Sequence, residues 1–259
     1  MDTDLVLSPF GADPAEMVAA AVAADRVGFA GVYTYDHFSG LVAGKPWSRD
    51  PFAVLGAVAV STSRVRLGVL VANMVNRHPA QLACAVDTLQ ALAPGRVICG
   101  IGAGASPGTA FAAEHDAIGR SLERAAERRT RLVATIDRLR AIWRGDGVPA
   151  VVDGPDAPPI IVGASSAATG MLAASHADGL NLQRGRDDAL LSSRIEAIRE
   201  GAAGRPFEIS VFDALDIAHP LGGDPVPLVA IGADRRTLHV SAPYPIEAIE
   251  RIAANLAAS

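Results

Sequence analysis

Short β-branched runs and longer helical stretches alternate from one end of this chain to the other, eight times over. The strand-like runs are Leu5–Leu7, Gly31–Tyr35, Val65–Val71, Arg96–Ile101, Ile160–Val162, Asp178–Leu182, Ile209–Phe212 and Leu238–Val240. Helical patterns fill the intervals. The first is signalled by Asp13 as N-cap, Pro14 at the opening position and Glu16 closing a capping box, and it stops at Gly28. Asp50-Pro51 opens a helix to Val60, Pro79 one to Leu92, and Ser121–Arg144 reads as the longest. Further helices are expected over Ala167–His176, Asp187–Glu200 and Pro245–Leu256, with only a stub at Leu228–Ala233. Alternation of this kind demands parallel strands covered by helices. An open doubly wound sheet also satisfies it, but seldom with eight units in one domain of this size. The 259 residues match the roughly 250 typical of a (β/α)₈ barrel. No Ser/Gly linker divides the chain, so the sequence predicts one TIM-barrel domain over residues 1–259.

Composition narrows the function classes. Half the residues are apolar, 20% are charged and the mean hydropathy is +0.26, which excludes a disordered chain. The net charge is −5 and no basic stripe stands out, so nucleic acid is not an expected partner. Lys45 is the only lysine; the other basic residues are 22 arginines. Cys84 and Cys99 lie in apolar runs and are expected as buried free thiols, as in a reducing cytoplasm. The acidic start Met1-Asp2-Thr3-Asp4 argues against a signal peptide, and no apolar stretch is long enough to span a bilayer. The expectation is a cytoplasmic protein with no membrane partner.

In a (β/α)₈ barrel the chemistry sits at the C-terminal strand ends. Those ends carry Asp36, His37 and Phe38, then Ala72, Asn73, Asn76, Arg77 and His78, then Gly102, Ala103 and Gly104. Gly163, Ala164, Ser165 and Ser166 follow the fifth strand, and Asn181, Gln183, Arg184 and Arg186 the sixth; Asp213, Asp216 and His219 follow the seventh. His37 stands out among six histidines, because Tyr33, Tyr35, Phe38 and Trp47 surround it in sequence and an imidazole there can move a proton or stack on a flat ligand. His78, before Pro79, reads as structural; for His115, His176 and His239 packing or solvent contact is the better reading. Gly100-Ile-Gly102-Ala-Gly104-Ala105 satisfies G-x-G-x-x-A, but Ser106-Pro107-Gly108 follows where a dinucleotide fold needs a helix. Gly163 to Ser166 precede a helix and either receive a phosphate or form a plain turn capped by Ser. Arg184 and Arg186 either complete an anion pocket or lie on the surface. No zinc-ligand spacing and no G-x-S-x-G elbow is present, so neither a metal site nor a serine hydrolase is expected.

Four passages resemble the bacterial luciferase-like superfamily of flavin- and deazaflavin-dependent oxidoreductases. They are Ala24 to Phe38, ending in Asp-His-Phe; Thr62 to Gly68 with Asn76 to Ala80; Pro94 to Gly104; and Pro159 to Ser165 with Ala173 to Gly179. Their order and spacing fit over about the first 185 residues. The resemblance implies a (β/α)₈ barrel with coenzyme F420, or FMN as the alternative, at the strand C-termini. It implies a non-proline cis peptide at Leu70-Val71, bulging toward the cofactor ring beside Ala72 and Asn73. It places Asp36 and His37 at the ring's polar edge as the catalytic pair, Gly102, Ala103 and Gly104 beside the ring, and Gly163, Ala164, Ser165 and Ser166 at the phosphate side. A small organic substrate would exchange a hydride with the cofactor. The F420 reading is favoured by the Asp-His pair; the FMN alternative is a monooxygenase served by a partner reductase, and a third reading is a catalytically silent flavin-binding barrel.

The sequence also departs from that pattern. The region after the sixth strand is compressed, and Leu221 to Pro225 replaces a longer cofactor-holding segment. Ala105 to Gly108 stand where relatives carry an acidic or bulky polar residue, and Asp25-Arg26 replaces the usual acid of the first helix. The resemblance further implies a homodimer through the second and third helices, which carry Phe52, Leu55 and Val58 and Leu82, Val86 and Leu89; core packing explains these residues equally well.

Overall fold

The computed structural model describes residues 1–146, 157–213 and 228–256, with side chains as far as 251. Eight strands, β1 (Asp2–Leu7), β2 (Gly31–Thr34), β3 (Arg66–Asn73), β4 (Val97–Gly102), β5 (Ile160–Ala164), β6 (Gly179–Gln183), β7 (Glu208–Asp213) and β8 (Arg235–Val240), pair in sequence order and close into a barrel. Every pairing is parallel, from β1 with β2 round to β8 with β1. The helices α1 (Pro14–Val27), α2 (Pro51–Ser61), α3 (Pro79–Leu92), α5 (Ala125–Trp143), α6 (Ala167–His176), α7 (Asp188–Gly201) and α8 (Ile246–Leu256) complete the alternation, and a short α4 (Ala112–Ala117) lies between β4 and α5. The expected single TIM-barrel architecture is the observed one.

The predicted Asp caps form, without the return bond from Glu16 that would close a capping box. The Asp13 carboxylate accepts from the backbone N–H of Ala15 at 2.7 Å and of Glu16 at 3.3 Å, and Asp50 accepts from Ala53 at 3.0 Å. Gly28 ends α1 at φ +99°, a left-handed conformation that costs glycine little. Asp25, at the α1 position where the sequence departs from the family pattern, takes the N–H groups of Ser63, Arg64 and Val65 at 3.2, 2.8 and 2.8 Å, so it ties α1 to the start of β3. Burial raises its pKa, but those three donors outweigh burial and hold the carboxyl below the usual aspartate value.

Three expectations change. The predicted helix over Ser121–Arg144 begins later, at Ala125, and α4 was not foreseen, because Gly108 and Gly119 punctuate the sequence on either side of it. The stub at Leu228–Ala233 is a turn, closed by Ala233 N–H donating to Leu228 O at 3.0 Å. Cys99 is buried as expected, but Cys84 is exposed: the interior stripe of α3 runs through Leu82, Ala83, Val86 and Leu89, and Cys84 falls off it. The apolar residues offered for a dimer face also look inward, since Leu55, Val58, Leu82, Val86 and Leu89 belong to the protomer's own core. Residues Asp216 and His219, and Leu221 to Pro225, lie outside the described residues. No helix among the described residues is long and apolar enough to cross a membrane.

The barrel interior is layered. Val6, Tyr33, Leu70, Ile98 and Ile161 fill the middle. At the N-terminal end Arg235 reaches across to Asp4, donating from Nε at 2.9 Å and from Nη2 at 2.5 Å, and Nη1 donates to Asp2 at 2.6 Å. This closed end leaves the opposite end for ligands. There β3 bulges: its register against β4 shifts between Val69 and Ala72, around the Leu70-Val71 peptide, which is cis as the resemblance implied. Gly100 permits the close approach, since a Cβ there would stand 2.0 Å from Val69 O.

Candidate active site

A cavity of about 690 Å³ opens at the C-terminal end of the barrel, in the range of roughly 300–1,000 Å³ common to small-molecule sites. Its two sides differ in chemistry. On the side of β3, β4 and β5 the surface is small and apolar. Val71 projects there between two glycines: a Cβ on Gly102 would come within 2.6 Å of Val71 Cγ2, and one on Gly163 within 3.0 Å of Val71 Cγ1. Alanine at either glycine would displace the valine, so the three residues form one fitted surface. On the side of β7, β8, β1 and β2 the surface is aromatic. Tyr35 lies 5.7 Å from the His239 ring and 6.4 Å from Phe212, while Phe10 lies 5.4 Å from His37.

His37 is held on three sides. Its ring lies 4.6 Å from that of Phe111 in a stacked arrangement, with Phe10 on the other flank. Its Nδ1 lies 2.7 Å from Oε2 of Glu114, whose side chain is fully buried. A carboxylate only accepts, so Nδ1 carries the hydrogen and Nε2 is the free nitrogen. Among the described residues Nε2 has no protein hydrogen-bond partner, and the side chain is 21% exposed to the cavity mouth. The other oxygen of Glu114 accepts from Ser39 N–H at 2.9 Å, so one carboxylate fixes the imidazole and the loop that follows it. Burial raises the Glu114 pKa, but the hydrogen bonds from His37 and Ser39 prevail and hold it below the ordinary 4.5.

That depression has a consequence for stability. A carboxyl whose folded pKa lies below its unfolded one stabilises the fold above the unfolded value and loses that contribution as pH falls through the folded value. In urea unfolding the wild-type protein is therefore expected to exceed Glu114→Gln at neutral pH, and the gap is expected to shrink as the pH drops below 4.5. A gap that stayed constant into acid would show that Glu114 is not the titrating anchor.

Asp36 sits beside His37 but is occupied. Arg77 grips it with two bonds of 2.8 Å, from Nε and Nη2, and Asn73 N–H donates to it at 3.1 Å. Arg77 also bonds Asp50 at 2.7 Å and lies 4.6 Å over Phe52, so the ends of β2 and β3 and the start of α2 are clamped together. Arg128 of α5 secures the loop after β4 by donating to Gly104 O, Ala105 O and Ser106 Oγ at 3.1, 2.7 and 3.0 Å.

The sequence-predicted residues Asp36, His37, Leu70, Val71, Asn73, Gly102, Ala103, Gly104, Gly163, Ala164 and Ser165 all line this cavity. Two do not. Ala72 points outward into the core between barrel and helices, because alternation along β3 turns it away from the neighbours that face inward. Ser166 caps α6, accepting from Thr169 N–H at 3.3 Å, so the plain-turn reading holds for its hydroxyl. Arg184 is taken by Asp188 and Asp213 and does not reach the cavity. His78 is structural, its Nδ1 accepting from Ala80 N–H at 3.2 Å.

Sequence reasoning missed Glu114, which supplies, from α4, an acid beyond the Ala105–Gly108 stretch that lacked one; a Glu-His pair between two glycine stops was the available signal. His239 packs, as expected, against Tyr35 and Phe212, but on the inner face of the barrel and in the cavity lining. This residue is the inward-facing member of β8 nearest the mouth, and burial lowers its pKa, so the ring is neutral. No group of three or more His, Cys, Asp or Glu that could hold a metal occurs among the described residues.

The open end of the closed (β/α)₈ barrel thus joins a glycine-and-valine surface to a histidine tied to a buried carboxylate. The family model described as luciferase-like monooxygenase matches residues 3–217, and the chain belongs to that family. Among curated relatives, the F420-dependent glucose-6-phosphate dehydrogenase of Nakamurella multipartita is 32% identical over 217 residues, covering 75% of this chain and 60% of that protein. The protein of the same name from Segniliparus rotundus is 32% identical over 244 residues, 86% of this chain and 69% of its own. The chain thus spans about 60% of the length of the former. Among solved structures, an F420-dependent secondary alcohol dehydrogenase in complex with an F420-acetone adduct superposes with a TM-score of 0.82 at 17% identity, covering 98% of this chain and 97% of that one. A monooxygenase from Streptomyces bottropensis gives 0.75 at 21% identity, covering 100% and 98%. At these identities the likeness is one of fold.

Proposed function

We propose that this protein is an oxidoreductase that moves a hydride between coenzyme F420 and a small organic substrate, with His37 handling the proton. The observation that carries the reading is the His37–Glu114 pair at 2.7 Å, which leaves Nε2 free at the cavity mouth. Relatives about one-third identical are named as F420-dependent dehydrogenases, which supports the choice of cofactor.

The residues present fit such a group. A flat heterocycle needs a surface without protruding side chains, and Gly102 and Gly163 provide one around Val71, with no space for a Cβ at Gly102 and only a tight fit for one at Gly163. Ser165 and the start of α6 lie in reach of an anionic tail, where exposed backbone N–H groups favour negative charge. When bound, F420 supplies a two-electron hydride acceptor for an alcohol, or in its reduced form a donor to a carbonyl. Nε2 of His37 takes the hydroxyl proton in one direction and returns it in the other. Asp36, with both oxygens engaged by Arg77 and Asn73, positions the strand ends around His37. A homodimer through α2 and α3 would rest on their exposed ends, Val60 and Leu92, since the inward residues are spent on the core.

Titrating the purified protein with F420 and, separately, with FMN tests the assignment. Saturable change of F420 fluorescence in the micromolar range, with no response to FMN, is the expected result. FMN binding without F420 binding would overturn it in favour of a flavin monooxygenase, and binding of neither would leave a silent barrel.

A further inference from the structure

The two sides of the cavity also bear on the substrate. In the closed order β1 to β8, β4 lies across the barrel from β8. The surface around Val71, Gly102 and Gly163 is the one on which a flat cofactor fits. The facing surface, built from Phe10, Tyr35, Phe212 and His239, is left for the second reactant. It is made of rings. Its imidazole is neutral, and the neighbouring polar groups, Asn181, Gln183 and Ser241, carry no charge either.

Positive charge is scarce there. Among the described residues that line the cavity, Lys45, exposed at the rim, is the only Lys or Arg. Around the mouth Arg77 is committed to Asp36 and Asp50 and Arg184 to Asp188 and Asp213, Arg128 is spent on Gly104 O, Ala105 O and Ser106 Oγ, and Arg186 does not line the cavity. In the sequence, residues 214–227 contain Asp216, Asp224 and His219, and no Lys or Arg. A phosphate drawn onto the ring-lined surface would lose water without gaining a counter-charge.

We infer that the substrate is an uncharged alcohol or its carbonyl partner, with an apolar body seated against Tyr35, Phe212 and His239. The inference rests on the hydride-transfer reading above and departs from the phosphorylated sugar named for the relatives. In the oxidative direction the carbinol C–H breaks and its hydrogen leaves with two electrons to F420. The O–H proton goes to Nε2 of His37, and a carbonyl remains.

Four measurements on the full chain test it. F420 binding is established first by fluorescence titration, and failure at that step overturns the underlying reading itself. With F420 bound, kcat/KM is compared for 1-phenylethanol and glucose 6-phosphate, and a preference of roughly 100-fold or more for the uncharged alcohol is expected. Acetophenone titrated into the F420-loaded protein is expected to change cofactor fluorescence saturably, whereas inorganic phosphate at equal concentration is not. F420 binding together with a preference for glucose 6-phosphate would overturn the inference, as would F420 binding with no uncharged alcohol or ketone bound or turned over. In Phe212→Ala, a KM for 1-phenylethanol raised severalfold at unchanged F420 affinity places the substrate on this surface. Weakened F420 binding at unchanged KM overturns that placement.

Discussion

Replacing His37 by alanine is expected to lower kcat for hydride transfer by about 10²–10⁴-fold, the usual contribution of a positioned acid–base group. F420 affinity should change far less, because the fitted surface of Val71, Gly102 and Gly163 does not involve the imidazole. The size of the effect follows from how completely the ring is determined. Phe10 and Phe111 flank it, and Glu114 accepts from Nδ1, so one tautomer and one orientation are present before substrate arrives. Preorganisation of this kind adds to the rate because no reorientation is required during proton transfer. Glu114→Gln is the informative companion: an amide oxygen also accepts from Nδ1–H, so the tautomer survives and the loss should be smaller than for His37→Ala. Stopped-flow reduction of bound F420 would measure both variants, with circular dichroism to check the fold. An alanine variant with unchanged kcat would remove His37 from the chemistry and leave the barrel and the family assignment standing.

The largest effect on stability is expected at the other end of the barrel. Arg235 meets Asp4 through two bonds inside the strand cylinder, and neither side chain has more than 6% of its surface exposed. Burial works against the guanidinium charge, but Asp4 more than compensates and keeps Arg235 firmly protonated. Arg235→Met leaves a carboxylate in the interior without its cation, a loss of about 3–5 kcal/mol for a broken buried pair. At this chain length that corresponds to a fall in Tm on the order of 10 °C. Removing the acid as well should recover most of the loss, since buried pairs replaced as a whole by apolar residues are often near neutral. The double variant Asp4→Leu/Arg235→Met is therefore expected to melt above Arg235→Met alone, and calorimetry of the cycle gives the coupling directly. Equal melting of the single variant and the wild type would mean that the pair contributes nothing.

The fold was legible because each repeat carries its own punctuation. Asp13-Pro14, Asp50-Pro51 and His78-Pro79 mark helix starts by local hydrogen bonding and by the fixed φ of proline, and those signals need no tertiary context. α4 was not legible, since six residues are too few for a hydrophobic period to declare itself. The site was half legible for a related reason. Residues at strand ends are found once the strands are placed, and His37, Asn73 and Gly163 were reached in that way, whereas Val71 came only from the family resemblance. Glu114 is contributed by a helix 77 residues further along, and its distance from His37 is a property of barrel closure rather than of sequence. Asp36 shows the converse: its position was right, but Arg77, which occupies both its oxygens, lies 41 residues away. The packing of His239 was expected, but its place in the cavity lining was not legible, because a histidine in a strand reads the same whether it faces helices or the barrel axis.

The solitary lysine gives the protein an experimental handle. Acylating reagents that ignore guanidinium groups will find, besides the amino terminus, a single side-chain amine, and that amine stands on the cavity rim. A fluorophore or spin label attached through Lys45 would report on entry and departure of ligands from one defined place, without engineered cysteines and without removing the native thiols Cys84 and Cys99.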